Sequence, residues 1–352
     1  MEKPDIDSVA AAIADYYDIH LREDLISADV VKDIHIDEDV VFVDLEFGFP
    51  IKKYKSVLAE EIKGQIESVK GIKKIHVHIT HKCKSHIIQK NVKRVDGIQN
   101  VILIGGGKGG VGRTAITANI AAAIADEGAR VGIIDADLFK SDLYFALGII
   151  EKIKTEKNIF IPVEKNGIKT VSIAGILEKE HNSAVWGSNK VSRILNQFLK
   201  GTKWGELDYL IVDMPSSSGD ILKNILEQYP VSGAVVIGIP DEFSEKDIVR
   251  TSNIYKKRDV PLLGVIENKS LNICTKCNSM EHIFGETELK QVAKNCGTDI
   301  IGSLPYSHEL QKSMDVGLPI VLQQPSLQIS RVIKEVAINL VARLSQQPLS
   351  KT

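Results

Sequence analysis

The stretch that decides the fold is residues 101–114, which read VILIGGGKGGVGRT. Four apolar residues predict a buried strand, a glycine-rich loop follows, and the next residues, TAITANIAAAIADEG, predict a helix. In this order the backbone N–H groups of the loop and of the helix N-terminus can bind phosphate oxygens. Gly107, Gly112 and Thr114 satisfy the spacing G-x-x-x-x-G-K-[ST], but Arg113 stands where that motif has lysine. The predicted nucleotide-binding residues of this loop are Gly107, Gly109, Gly110, Val111, Gly112, Arg113, Thr114 and Ala115.

The residues on either side of this loop predict an α/β fold. From Asn100 onward, apolar runs alternate with helical patterns, and the runs read VILIG, VGIIDAD, DYLIVDMP, GAVVIGIP and LLGVIEN. Such continuous apolar runs are typical of strands that are buried on both faces of a parallel sheet. Ligands of these sheets bind at the carboxyl ends of the strands.

Carboxylates follow two of these strands. Asp213 ends one run, and Asp135 and Asp137 end another. From such a position a carboxylate can hold Mg²⁺, directly or through water, and a second one can orient the attacking water. We therefore expect Thr114, Asp135 and Asp213 near Mg²⁺ and Asp137 as a catalytic residue. Any one of these aspartates could instead cap a helix or close a turn.

The first part of the 352-residue chain predicts a separate, smaller α/β domain. Within residues 1–82 we predict a helix over 7–18, a hairpin of VVKDIHI and VVFVDLEF, a helix over 53–68 and a strand KKIHVHIT. Residues 83–97 are polar and basic and are predicted to be a linker, and residues 98–348 form the nucleotide-binding domain. The final amphipathic helix, SLQISRVIKEVAINLVARL, is expected to cover the core.

Composition narrows the class of protein. With 44 basic and 46 acidic side chains, the net charge of −2 argues against a general nucleic-acid binder. We find no apolar run of membrane-spanning length and no secretory signal pattern, so we expect no membrane partner. The four cysteines are sparse, which fits a reducing cytoplasm.

Two of these cysteines, Cys274 and Cys277, form a C-x-x-C pair on a predicted loop. One pair supplies half of a tetrahedral ligand set, and two subunits related by a twofold axis supply four thiolates, enough for a bridging [4Fe–4S] cluster. The same geometry suits zinc. A second group of metal-binding residue types is His76, His78, His81, Cys83 and His86. Its members are either a hand-off site for metal or cluster, or ordinary exposed strand and linker residues.

Five features of the sequence together resemble the Mrp/ApbC family of iron–sulfur carriers. They are KGGVGRT, IIDADL, LDYLIVDMP with SGD after it, GVIEN and the C-x-x-C pair. These are ATPases with a deviant Walker motif, related to MinD and ParA. The front unit, with LISADVVKDIHID, resembles the small domain often fused ahead of the ATPase in this family. The resemblance implies an ATP-dependent homodimer that holds a cluster and passes it to apo-proteins. Lys108 matches the family's signature lysine, which reaches phosphates across the dimer interface, and Asn268 matches the asparagine that reads adenine.

Two departures from the family pattern bear on catalysis. Arg113 replaces the lysine of the loop, and residues 215–220 read PSSSGD where the family has PPGTGD. Because arginine is larger, planar and forked, we expect nucleotide binding with slow hydrolysis. The alternatives are a nucleotide-binding regulatory or scaffold protein and a ParA/MinD-like positioning ATPase without a cluster.

Overall fold

A small three-stranded sheet with helices on one face begins the chain. The computed structural model describes residues 4–106, 108–176, 187–215, 219–273, 276–277, 279–282, 284–285 and 288–350. The elements of this first unit are α1 (Ile6–Ala14), β1 (Tyr17–Asp18), β2 (Glu23–Asp24), β3 (Val31–Asp37), β4 (Val40–Phe47), α2 (Tyr54–Ile66) and β5 (Lys74–His81). Strand β4 pairs antiparallel with β3 and parallel with β5. Its side chains alternate, with Val41, Val43 and Leu45 buried and Phe42 and Asp44 exposed, as the hairpin pattern predicts.

The first helix is shorter than the predicted span of 7–18, because α1 ends at Ala14. The physical reason lies at Asp18, whose carboxylate accepts hydrogen bonds from the backbone N–H groups of His20 and Leu21, both at 2.9 Å. Such a local turn competes with helical hydrogen bonding. Tyr17–Asp18 therefore forms a short ladder with Glu23–Asp24.

The second unit is built on an eight-stranded sheet. Its strands and helices are β6 (Ile98–Gly105), α3 (Arg113–Asp126), β7 (Val131–Asp135), α4 (Leu143–Ala146), β8 (Lys154–Glu156), β9 (Ile159–Ile161), β10 (Val163–Lys165), β11 (Ile168–Val171), a 3₁₀ turn (Ile173–Gly175), α5 (Ser188–Lys200), β12 (Leu207–Asp213), α6 (Gly219–Gln228), β13 (Val231–Gly238), α7 (Glu242–Lys257), β14 (Leu262–Asn268), β15 (Asn272–Ile273), β16 (Met280–Glu281), α8 (Leu289–Asn295), β17 (Ile300–Leu304), α9 (His308–Val316), α10 (Ile320–Gln323) and α11 (Gln328–Ser345).

The order of the sheet is β10-β11-β7-β12-β6-β13-β14-β17, and every neighbouring pair is parallel except β10 with β11. All five predicted strands are present, as β6, β7, β12, β13 and β14. The fold class, a mostly parallel sheet with flanking helices after a small α/β unit, is confirmed. Strand β6 lies between β12 and β13, so the loop that follows it opens in the middle of the sheet.

The last helix, α11, is buried on several sides, as expected of a helix that covers the core. It packs on α3 and β17, and the first unit binds its outer side. There His20 Nδ1 lies 2.7 Å from Asn339 Oδ1, and Gln346 Nε2 donates to the carbonyl of Leu21 at 2.6 Å. Across the described ranges, no helix combines the length and apolar character needed to cross a membrane.

The predicted linker, residues 83–97, packs closely on the second unit. Gln89 is buried, donates to the carbonyl of Tyr229 at 2.8 Å and accepts from the N–H of Val231 at 2.8 Å. Ile87 donates its N–H to the carbonyl of Pro348 at 3.0 Å. This segment is therefore fixed to the sheet's helical layer and to the C-terminal tail. The boundaries at 82/83 and 97/98 stay a prediction.

Candidate functional site

The glycine-rich loop joins the end of β6 to the start of α3, as predicted. Gly110 and Gly112 have φ values of +83° and +85°, in the left-handed region that favours glycine. A Cβ added at Gly112 would lie 2.6 Å from Asn268 Nδ2, so this position also lacks room for a side chain. Helix α3 begins at Arg113, and its first N–H groups point into the loop. Gly107 lies outside the described residues.

The end of β14 holds the loop from the other side. Asn268 Nδ2 donates to the carbonyl of Val111 at 2.7 Å, and Lys269 Nζ donates to the carbonyl of Gly110 at 3.1 Å. A cavity of about 290 Å³ opens beside this contact. Its lining includes Gly112, Ala115, Asn268, Lys269, Pro305 and Tyr306. The residue expected to read adenine thus lies at the wall of a cavity that adjoins the loop.

Arg113 points inward, toward the carboxylates at the strand ends. Its side chain is only 8% exposed, its Nε donates to Asp213 Oδ1 at 3.1 Å, and its Nη2 lies 3.6 Å from Asp137 Oδ2. Asp213 also accepts hydrogen bonds from the hydroxyls of Thr114 and Thr117, both at 2.8 Å. Burial raises the pKa of Asp213 above its ordinary value, although Arg113 and the two hydroxyls act in the opposite direction.

The other two carboxylates, those of Asp135 and Asp137, also accept hydrogen bonds from the chain. Asp135 is 1% exposed and accepts from Ser172 Oγ at 2.9 Å and from the N–H of Asp137 at 3.1 Å. Burial, with Asp213 nearby, raises the pKa of Asp135 well above its ordinary value. Asp137 accepts from the N–H of Lys140 at 3.0 Å, and burial raises its pKa against the opposing effect of Arg113. The predicted carboxylates therefore do meet at one edge of the sheet.

The residues expected to hold Mg²⁺ are engaged by other groups of the chain in this arrangement. Both oxygens of Asp213 and both oxygens of Asp135 accept hydrogen bonds from the chain, and the guanidinium of Arg113 already lies against two of the three carboxylates. Magnesium needs near-octahedral oxygen ligands with accessible lone pairs. Within the described part of the chain, no three His, Cys, Asp or Glu side chains are grouped to hold a metal ion. The magnesium roles of Thr114, Asp135 and Asp213 stay a prediction.

Lys108, the expected signature lysine, is engaged within its own chain. Its Nζ lies 2.6 Å from Asp241 Oδ2 and 5.6 Å from the ring centroid of Phe243. The other oxygen of Asp241 caps α7 by accepting from the N–H of Ser244 at 2.7 Å. Burial acts to raise the pKa of Asp241, but the bonds from Lys108 and Ser244 prevail and hold it below its ordinary value. We did not predict Asp241, although it follows the apolar run GAVVIGIP much as Asp213 ends its own strand.

Cys277, the described member of the C-x-x-C pair, lies on the connection between β15 and β16, which pair antiparallel. Cys277 is exposed, and its Sγ lies 3.2 Å from Ser279 Oγ. Cys274, like residues 216–218 of the PSSSGD segment, lies outside the described residues. Cys296 is half-buried at the end of α8 and packs against the core.

The histidine group of the first unit is dispersed. His76 and His78 lie exposed on one face of β5, as their spacing predicts, and His78 Nδ1 is 3.1 Å from Asp44 Oδ1. His86 is buried, with Nδ1 2.8 Å from the carbonyl of Gln347. Cys83 Sγ lies 3.5 Å from the hydroxyl of Tyr209, and burial raises the pKa of this thiol to about 11. Of the two interpretations, the structure favours ordinary strand and packing residues.

A parallel sheet whose central strand leads through left-handed glycines into a helix, with carboxylates at the neighbouring strand ends, defines a P-loop NTPase. The comparisons with known proteins agree. Residues 97–341 match the family described as NUBPL iron-transfer P-loop NTPase, and residues 6–79 match that of an iron–sulfur cluster assembly protein. The chain belongs to the NUBPL iron-transfer P-loop NTPase family.

Relatives of known name and structure support this assignment. The chain is 31% identical over 341 residues to the iron–sulfur cluster carrier protein of Salmonella typhimurium, covering 96% of this chain and 92% of the relative. It is similar to a nucleotide-binding protein of Archaeoglobus fulgidus solved with ADP, at 28% identity and a TM-score of 0.56, over 64% of this chain and 88% of the other. The MinD cell division protein of Aquifex aeolicus, at 24% identity and a TM-score of 0.51, covers 72% of this chain and all of its own, and shows the shared fold. The expected membership of the iron–sulfur carrier ATPases is confirmed.

Proposed function

We propose that this protein is an ATP-binding carrier that holds a [4Fe–4S] cluster between two identical subunits and passes it to apo-proteins in the cytoplasm. The cluster is cargo in this proposal. The observation that carries it is the course of the chain after β14. This strand brings Asn268 onto the nucleotide loop, and within a few residues the chain reaches the exposed Cys277. The end of β14 therefore contacts the nucleotide loop and leads along the chain toward an exposed thiol that a second copy could approach.

The nucleotide would bind along the loop, with its base in the cavity beside Asn268. Backbone N–H groups of residues 109–115 and the start of α3 would hold the phosphates. The cavity is lined by Pro305 and Tyr306 as well as by the loop, and its surface is mostly apolar, which suits a purine ring.

Two subunits would complete the site. Each would contribute Cys274 and Cys277, so that four thiolates surround one cluster. Lys108 would leave Asp241 and reach the nucleotide of the facing subunit, and ATP would thereby favour the closed dimer. Nucleotide occupancy would in this way bias whether the cluster is held or released.

Hydrolysis is proposed to be slow, with Asp137 orienting the attacking water. The Lys of an ordinary P-loop acts as a point charge near the β- and γ-phosphates, whereas the fork of Arg113 is directed to carboxylates. Replacing Arg113 by lysine should raise ATP turnover. A rate that stays the same or falls would contradict this interpretation of Arg113.

The central experiment is reconstitution without oxygen. The purified protein is incubated with iron and sulfide, and we expect a broad visible absorbance that Cys274→Ser and Cys277→Ser each abolish. Cys296→Ser is the matched control, since this thiol packs against the core, and it should retain the absorbance. A colourless wild-type protein that binds stoichiometric zinc would contradict the proposal.

A second candidate function is supported by the pairing of Arg113 with Asp137 and Asp213. A site whose loop arginine is paired with the carboxylates at the strand ends suits a regulatory or scaffold protein that binds nucleotide without hydrolysing it. Measured ATP binding, together with no phosphate release and no cluster after reconstitution, would favour this candidate over a carrier.

A further inference from the structure

An arginine already balances part of the negative charge at the predicted magnesium position. Arg113 is a permanent cation, since an arginine does not lose its proton in proteins. It lies between Asp213, at 3.1 Å, and Asp137, at 3.6 Å, and its side chain is 8% exposed. A divalent ion at the same edge of the sheet would face a neighbouring positive charge as well as carboxylates whose oxygens are in use.

The forked shape of arginine makes this arrangement possible. Nε bonds to one carboxylate while Nη2 lies against the other, which a single ammonium cannot reproduce with the same geometry. The hydroxyls of Thr114 and Thr117 complete the hydrogen bonds of Asp213.

We propose that Arg113 replaces Mg²⁺ as the counter-cation of the nucleotide site, so that the protein binds ADP with little dependence on magnesium. The guanidinium and the metal compete for Asp137 and Asp213. Phosphate oxygens are then held by the loop N–H groups. This inference rests on the nucleotide binding proposed above and adds how that binding depends on Mg²⁺.

The test measures ADP binding by calorimetry in EDTA and in excess Mg²⁺. For the wild type we expect the dissociation constants in the two buffers to agree within about threefold. For Arg113→Lys we expect magnesium to tighten ADP binding at least tenfold, because the lysine leaves one carboxylate free for the ion. Arg130→Lys is the matched control: Arg130 also forks onto an aspartate, Asp208, at 3.2 Å and 2.7 Å, but at the opposite edge of the sheet. It should behave as the wild type.

A wild-type protein whose ADP affinity rises tenfold or more with Mg²⁺ overturns the inference. It is also overturned if Mg²⁺ changes the ADP affinity of Arg113→Lys no more than it changes that of the wild type. A second readout does not depend on that variant. With ADP bound to the wild type, one equivalent of Mn²⁺ should remain largely free by electron paramagnetic resonance, and a bound-metal signal overturns the inference. Absence of ADP binding in every buffer would defeat the proposed nucleotide site itself, whereas tight magnesium-dependent binding would defeat the inference alone.

Discussion

Replacing Arg113 by methionine should destabilise the protein strongly, because it leaves Asp213 buried without its counter-charge. The two guanidinium contacts, at 3.1 Å and 3.6 Å, are each worth about 5 kcal/mol of Coulomb attraction at an effective dielectric constant of 20. Desolvation of the arginine offsets much of this gain. Removing one partner of a buried pair costs about 3–5 kcal/mol, and we expect Arg113→Met to lower the free energy of unfolding by that amount at pH 8.

The loss should shrink as the pH falls. Burial already raises the pKa of Asp213, and removing Arg113, which lowers it, raises it further in the folded state. A carboxyl whose folded-state pKa is raised binds more protons in the folded than in the unfolded protein, so its contribution is favourable at low pH and is lost as the pH rises through the folded pKa. The destabilisation of Arg113→Met should therefore be larger at pH 8 than at pH 5.5.

Urea unfolding of the wild type and variants, followed by circular dichroism, measures this effect. Arg130→Met is the matched control, since Arg130 is 52% exposed in its pair with Asp208 and should lose about 1 kcal/mol at most. The double variant Arg113→Met, Asp213→Asn should recover much of the loss, because the more deeply buried of the two carboxylates that faced Arg113 is removed with it. If Arg113→Met is no less stable than the control, or if its loss is the same at both pH values, the inward pairing of Arg113 is wrong.

Three further outcomes follow from the structure. Asp241→Ala removes the N-cap of α7 and should lower the free energy of unfolding by about 1 kcal/mol in urea titrations. Gly317→Ala should lower the free energy of unfolding by more than about 1 kcal/mol, because φ is +74° and the new Cβ would lie 2.4 Å from the backbone of Gly148. Gly64→Ala, at an open position within α2, should instead raise it by about 0.5–1 kcal/mol. A reversed order of the two variants in thermal melts would contradict the packing. In native protein at pH 8, iodoacetamide should label the exposed Cys277 quickly and Cys83, whose pKa is raised to about 11, only after unfolding, as read by peptide mass spectrometry.

The sequence predicted the strands that bring the site together and missed those at the margin of the sheet. The five buried strands are continuous apolar runs, and such runs can be recognised without knowing their neighbours. Strand β17, IIGSL, is short and carries a glycine and a serine, and β11, IKTV, has four residues of which two are polar, so neither run stands out. Their pairing with β14 and β7 depends on the assembled sheet.

The contacts of individual site residues were also hard to predict, because they too depend on the assembled fold. The loop motif identified Arg113 as the departure from the nucleotide-binding pattern, yet its partner Asp213 lies 100 positions further along the chain. The partner of Lys108, Asp241, is 133 positions away. The burial of Cys83 depends on Tyr209, a residue of a strand in the other unit. A motif defines which side chains can perform a chemistry, but only the fold decides which of them are engaged with each other.

These contacts place both cations of the nucleotide loop on the protein's own carboxylates. Lys108 is held by Asp241, and Arg113 is held by Asp213 and Asp137. In the proposed carrier the Arg113 arrangement stays in place, whereas a nucleotide would compete with Asp241 for Lys108 and use part of its binding free energy to break that contact. Strand β14, whose Asn268 contacts the loop, leads along the chain toward the exposed Cys277, the thiol of the proposed carrier site. The proposed carrier would thus use nucleotide binding at this strand end, a role that does not require rapid hydrolysis.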